Sequence, residues 1–178
     1  MASKIKVKLP RSTISNHPGV ALLQGIRDLE ACEKSRKYVV DMGQWHSGIH
    51  LPATNKCEVC FAGSVMAQTL KIPIEQCCGP EGDEFAGATQ MKLLGLDDAR
   101  NYAWWTFLDT YNYAAEIDVD TDLIDYLQER LHALIPNEVE YQDNKRQFKA
   151  NMKKAAHWLI KNVTVTKYEW KLTGVKTT

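Results

Sequence analysis

Two histidines and two cysteines fall within fifteen residues: His46, His50, Cys57 and Cys60, spaced H-x3-H-x6-C-x2-C. Imidazole nitrogens and thiolates are the ligands from which a tetrahedral zinc site is built, and a C-x2-C pair supplies two of the four from one side. The usual C-x2-C of such a site lies in a turn, where backbone amides reach the sulfurs. Here the surrounding stretch, "NKCEVCFAGSVMAQTL" (residues 55–70), scans as a helix. Asn55 is a good N-cap, Glu58 stands at the capping-box position, and Pro73 forces an end near Leu70 or Lys71. On that helix Cys57 and Cys60 share a face at i and i+3 and act as small core residues. Ala62, Gly63, Ser64 and Ala67 behind them let another element come close. Core packing without a cofactor is therefore the expectation, and zinc held by His46, His50, Cys57 and Cys60 is the alternative. Redox chemistry is a further alternative, because Cys57 would sit in a first helical turn where the dipole acidifies a thiol. Against it, an irregular stretch separates this helix from the preceding strand, unlike a thioredoxin-type site.

Three other groups of residues could do chemistry. Asp118, Asp120, Asp122 and Glu129 match positions 1, 3, 5 and 12 of a calcium loop, but the glycine position holds Leu123. They are better read as first-turn acids favoured by the helix dipole. Trp45 and His46, with the adjacent pair Trp104 and Trp105, could line an apolar or stacking surface, since neighbouring tryptophans on a helix cannot both face one core stripe. Lys145, Arg146, Lys149 and Lys153, with Lys154, form a basic row that could hold an anionic ligand. The bland reading of that row is the solvated face of an amphipathic helix.

The elements that must position these groups can be read from periodicity. "KIKVKL" (residues 4–9) alternates as a strand. Asn16 as cap and Pro18 in the first turn open a helix with Leu22, Leu23, Ile26 and Leu29 on its apolar face. "KYVVDM" (residues 37–42) is a short strand ended by Gly43, and residues 44–54 read as a loop. Helices are expected around residues 86–94 and from Asp97 or Asp98 onward. Another is read in "DTDLIDYLQERLHALIP" (residues 120–136), with Leu123, Ile124, Leu127, Leu131, Leu134 and Ile135 on one face and Pro136 ending it. The helix over 143–162 points Phe148, Met152, Ala155, Ala156 and Leu159 inward and its lysines outward. "VTVTKYEWKLTGV" closes the chain as an alternating strand. The sum is an α+β fold: five or six helices packed on a small sheet formed by strands near both termini and residues 37–42.

A chain of 178 residues with 44% hydrophobic and 25% charged content suits one globular domain, residues 1–178. No apolar run is long enough to span a bilayer, so no membrane partner is expected. The N-terminus, "MASKIKVKLPRS", lacks the apolar centre of a secretory signal. The five cysteines are an odd number and include the adjacent Cys77 and Cys78, which fits a reducing cytoplasm better than a disulfide framework. The net charge of zero hides an asymmetry. Residues 1–11 carry four Lys/Arg and no acid, residues 144–178 carry nine against Glu169 alone, and the middle carries nine against 21 Asp/Glu. Either the ends form a basic pole, or they lie against the acidic body and cancel.

The C-x-V-C-x-A-G run at Cys57–Gly63 and the KL-x3-D-x2-R run at Lys92–Arg100 resemble a group of small uncharacterised proteins from tailed-phage genomes, over roughly residues 38–105. The resemblance implies a setting, the cytosol of an infected host bacterium, and carries no catalytic residues. Small phage proteins of that sort act on the host, which makes the first expectation a non-enzymatic accessory protein that works by binding. It would inhibit a host defence protein or sequester a nucleotide signal, as a monomer or a homo-oligomer. The contacts would come from Trp45, His46, Trp104, Trp105, Lys145, Arg146, Lys149 and Lys153. The alternative is a zinc-stabilised nucleic-acid-binding domain using the basic stretch 145–176.

Overall fold

Helix α1 (Pro18–Lys34) starts where proline, which has no N–H to lose, occupies the first turn. Its cap is His17 rather than the expected Asn16. Nδ1 of His17 accepts from the Gly19 amide at 3.2 Å, and Nε2 faces the Val163 carbonyl at 3.0 Å. The second bond, across the fold, decides which of the two neighbouring side chains caps. An accepting Nδ1 and a donating Nε2 describe the neutral imidazole, and burial pushes the His17 pKa down in the same direction, against the opposing backbone bond to Val163. The computed structural model describes residues 15, 17–42, 46–47, 56–69, 71, 121–135, 139, 141–166 and 170–173.

After α1 the chain forms β1 (Tyr38–Val40), β2 (His46–Ser47), β3 (Cys57–Val59) and α2 (Phe61–Gln68). The sheet order is β1-β3-β2. Strand β3 runs parallel to β1, with Tyr38 opposite Cys57 and Val40 opposite Val59, and antiparallel to β2, with His46 opposite Val59. This corrects two expectations. Residues 44–54 are not all loop, and the helix does not begin at Asn55. Residues 57–59 are extended because β1 and β2 offer hydrogen-bond partners on both sides, and "CEV" alternates buried, half-buried, buried as a strand should. The helix starts only at Phe61, capped by Cys60, whose Sγ accepts from the Gly63 amide at 3.4 Å.

Helix α3 (Thr121–Leu134) buries Leu127 and Leu131, with Ile135 just past its end. It runs as helix from Thr121 through Asp122 and Glu129, two of the four positions of the calcium-loop pattern; Asp118 and Asp120 lie outside the described residues. Helix α4 (Lys145–Asn162) is capped by Asn144, whose side chain accepts from the Gln147 amide at 3.0 Å. It buries Phe148, Met152, Ala155, Ala156 and Leu159, the five positions expected from periodicity. The closing stretch is not one strand but a hairpin, β4 (Val163–Val165) antiparallel to β5 (Trp170–Leu172). The C-terminal strands thus pair with each other and not with residues 37–42, whose neighbour is β3. Among the described residues there are four helices rather than five or six. The expected strand at 4–9 and the helices near 86–94 and after 97 lie outside the described residues.

The core sits between α1 and its two neighbours, α4 and α2, with α3 packed on α4. Leu22, Ile26 and Leu29 meet Phe61 and Val65 from α2, Leu127 and Leu131 from α3, and Met152 and Leu159 from α4. A smaller cluster of Cys32, Cys57, Val59 and Ala67 fills the space between α1, α2 and the three-stranded sheet. Among the described residues no helix is long and apolar enough to cross a membrane.

Candidate functional site

Two places carry charge where charge is not needed for the core. The first is buried. Gln24, Asp28 and Cys32 recur every four residues along α1, which makes a second stripe on that helix beside its apolar one. The stripe faces the C-terminal end of α2. Asp28 is 2% exposed and Thr69 1%. The Thr69 hydroxyl donates to Oδ2 of Asp28 and accepts from Gln24 Nε2 at 3.0 Å and Arg27 Nη2 at 2.8 Å. Arg27 donates to Oδ1 of Asp28 through Nε at 2.8 Å and Nη2 at 2.6 Å. Burial pushes the Asp28 carboxyl up, against the opposing pull of Thr69, Arg27 and Lys71. Such a shift flags functional acids, but it also marks structural networks. Both oxygens of Asp28 are engaged, so the residue acts as a clasp joining α1 to α2. Cys32, next along the stripe, has its thiol pushed up by burial and accepts from Gln68 Nε2 at 3.6 Å. A high thiol pKa in an apolar cluster makes an inert cysteine.

The second place is open to solvent. Glu30 and Glu33 from α1 and Lys145, Arg146, Lys149, Ala150 and Lys153 from α4 line a groove of about 560 Å³. The cations run along the flank of α4's buried stripe, on the side that meets α1, so the same periodicity that builds the core places this wall. Lys149 Nζ lies 2.7 Å from Glu33 and Lys153 Nζ 3.3 Å from Glu30. The other oxygen of Glu33 accepts from the Tyr141 hydroxyl at 2.6 Å. Burial alone would raise the Glu33 pKa, but the bonds from Lys149 and Tyr141 outweigh it and hold the carboxyl below the usual range. Tyr141 moves the opposite way, pushed up by burial and by the Glu33 charge. Lys145 Nζ stands 5.1 Å over the Tyr141 ring, a cation–π contact. Lys154, outside the groove, donates to the Leu134 carbonyl at 2.6 Å, where the negative end of α3 favours a cation.

Four cations and two carboxylates leave the groove positive. Among the described residues no carboxylate lies within 4 Å of the Lys145 or Arg146 cation, although the Lys145 charge still acts on Glu33 from further off. Both sit in the first turn of α4, and no acid shares that turn. Cations are disfavoured there, because the helix presents its positive end. A local conflict of this kind is expected at functional positions.

The structure therefore brings together Lys145, Arg146, Lys149 and Lys153, as the sequence suggested, and adds Glu30, Glu33 and Tyr141, which sequence reasoning missed. The signal for the acids was present: Glu30 and Glu33 are three apart on the polar side of α1, matching lysines four apart on α4. Of the remaining expected residues, Trp45, Trp104, Trp105 and His50 lie outside the described residues. His46 is in β2, with its backbone opposite Val59. Cys57 is buried in the smaller apolar cluster and Cys60 caps α2, so the two share no helical face. Among the described residues no three His, Cys, Asp or Glu side chains converge as a metal site would require. No known protein family, no curated protein and no solved structure matches the chain.

Proposed function

We propose that the protein is a binding protein, acting without turnover, whose α1–α4 groove takes a phosphate-bearing small molecule of the nucleotide class. In the setting implied by the tailed-phage resemblance, this is a phage accessory protein that sequesters a nucleotide signal in the cytosol of the infected host. The observation that carries the reading is the pair Lys145 and Arg146. Both line the groove from consecutive positions in the first turn of α4, at a helix end that repels them, with no carboxylate within 4 Å among the described residues. A bound phosphate relieves that repulsion and accepts from the planar donors of Arg146. Sequestration is favoured over a nucleic-acid track because Glu33 and Glu30 already occupy Lys149 and Lys153. In the free protein the cations not held in a close ion pair are thus two neighbours rather than a long row, which suits the phosphate chain of a single nucleotide better than a polymer backbone.

Isothermal titration with ATP, GTP and their monophosphates tests the reading against Arg146→Gln. The expected result is binding of the triphosphates, weakened about tenfold by loss of the charged hydrogen bonds. Absence of binding across the panel, or binding indifferent to Arg146→Gln, rejects it. A preference for a single-stranded oligonucleotide, with steep salt dependence, would put a nucleic acid in place of the small ligand.

A further inference from the structure

The groove holds two lysine–carboxylate pairs of different character. Lys149 and Glu33 are 2.7 Å apart with side chains 20% and 19% exposed, and Tyr141 fixes the second oxygen of Glu33 at 2.6 Å. Lys153 and Glu30 meet only at 3.3 Å, with side chains 49% and 35% exposed. The first pair is held by its surroundings. The second belongs to the solvent-facing class of ion pairs that contributes least and exchanges most easily.

We infer that Glu30 is an internal competitor in the groove, holding Lys153 in the free protein and giving it up to the far anionic group of an extended polyphosphate ligand. This rests on the anion-binding reading above. Arg146 and Lys153 are seven residues apart on α4, so they share a face and are separated by about 10 Å of axial rise. Lys149 lies between them and stays with Glu33. A ligand anchored on Lys145 and Arg146 reaches Lys153 only if it carries a second anionic group well away from the first. A single phosphate leaves the Glu30–Lys153 pair intact and feels Glu30 only as a distant charge. A chain of phosphates replaces the Glu30 carboxylate with its own oxygens. Glu30 thereby sets the length of anion that the groove prefers.

Titration calorimetry with inorganic phosphate and with linear tetrapolyphosphate tests this on the native protein, Glu30→Gln and Glu129→Gln. Gln keeps the helix propensity of Glu, so α1 survives the change. Glu129 is an exposed acid of α3 outside the groove, and its replacement changes net charge equally. Glu30→Gln is expected to bind tetrapolyphosphate about two- to fivefold tighter, with inorganic phosphate unchanged and Glu129→Gln behaving as the native chain. Lys153→Met should cost more tetrapolyphosphate affinity in the Glu30→Gln background than alone, because only there is Lys153 fully available to the ligand. Equal tightening by Glu129→Gln, equal tightening toward inorganic phosphate, or no change at all in Glu30→Gln each overturns the inference while leaving an anion-binding groove. Failure of both the native protein and Glu30→Gln to bind tetrapolyphosphate overturns the groove reading as well.

Discussion

Gly19 of α1 lies directly against the backbone of Ala156 in α4: a Cβ added at Gly19 would stand 2.4 Å from the Ala156 carbonyl oxygen. Ile160 is almost as close, its backbone nitrogen 2.8 Å from that position. Backbone atoms cannot rotate aside, so the helices can meet at this distance only without a side chain at residue 19. Gly19→Ala gains about 1 kcal/mol of helix propensity yet is expected to destabilise by about 1–3 kcal/mol through overpacking. Gly25→Ala, whose Cβ would lie 2.5 Å from the Phe61 ring, should be milder where the ring can shift. Urea unfolding of the two variants measures the difference.

The Asp28–Thr69 clasp predicts a pH-dependent cost. The folded pKa of Asp28 is raised above 3.8, so its contribution to stability is greatest below that value and falls as pH rises toward the folded pKa. Thr69 opposes the rise by stabilising the ionised form. Thr69→Val should therefore cost about 1–3 kcal/mol at pH 7 and less at pH 4, where the carboxyl is protonated in a larger share of folded molecules. An equal cost at both pH values would mean that Thr69 contributes through its packing and the bonds it accepts from Gln24 and Arg27, and not through the Asp28 charge.

Glu33 behaves in the opposite sense. Its folded pKa is held below 4.5, so its stabilisation is present above that value and is lost as pH falls through the folded pKa. Glu33→Gln should lower stability by about 1–2 kcal/mol at pH 7, with the deficit closing in acid. Tyr141→Phe keeps the edge-to-face contact with Phe148, whose ring centroid is 5.6 Å away, and removes only the hydroxyl bond. It should show a smaller cost with the same pH trend, read from denaturation curves between pH 3 and 7.

The two cysteines of the C-x2-C pair should respond differently to serine. Cys57 is 2% exposed in an apolar cluster, so Cys57→Ser buries a hydroxyl and should destabilise by about 1–2 kcal/mol. Cys60 caps α2 through its side chain, and serine is a good N-cap. Cys60→Ser should leave the melting temperature unchanged or raise it. Melting with and without EDTA checks the zinc alternative at the same time. A chelator-induced drop abolished equally by both substitutions would assign the pair to a metal after all.

Helix α4 was legible in the sequence because Phe148, Met152, Ala155, Ala156 and Leu159 recur at a period of 3.6, which fixes the buried face and sets the groove cations along its flank. The stretch around Cys57 was misread because its local signals, Asn55 and Glu58, favour a helix. The winning partners, residues 38–40 and 46–47, lie elsewhere in the chain: the first is legible as a strand, the second is too short to be, and neither shows that residues 57–59 lie between them. His17 displaced Asn16 as a cap for the same reason, through a bond to Val163. The basic row was visible as charge. That Glu30 and Glu33 would take up two of its members follows only from the packing of α1 on α4, which no single segment encodes.

The pairing of α1 with α4 has a consequence for how the chain comes into being. Residues 18–34 leave the ribosome long before residues 145–162, and at typical synthesis rates the interval is roughly ten seconds. Helix α2 arrives early and covers the Gly25 side of α1, but the Gly19 side has to wait for α4. During that wait the nascent chain carries apolar surface whose native cover has yet to be made, with a long loop still to close before it can be buried. The clasp between Asp28 and Thr69 joins two segments synthesised close together, and so supplies a native anchor for α1 while its other face is still uncovered.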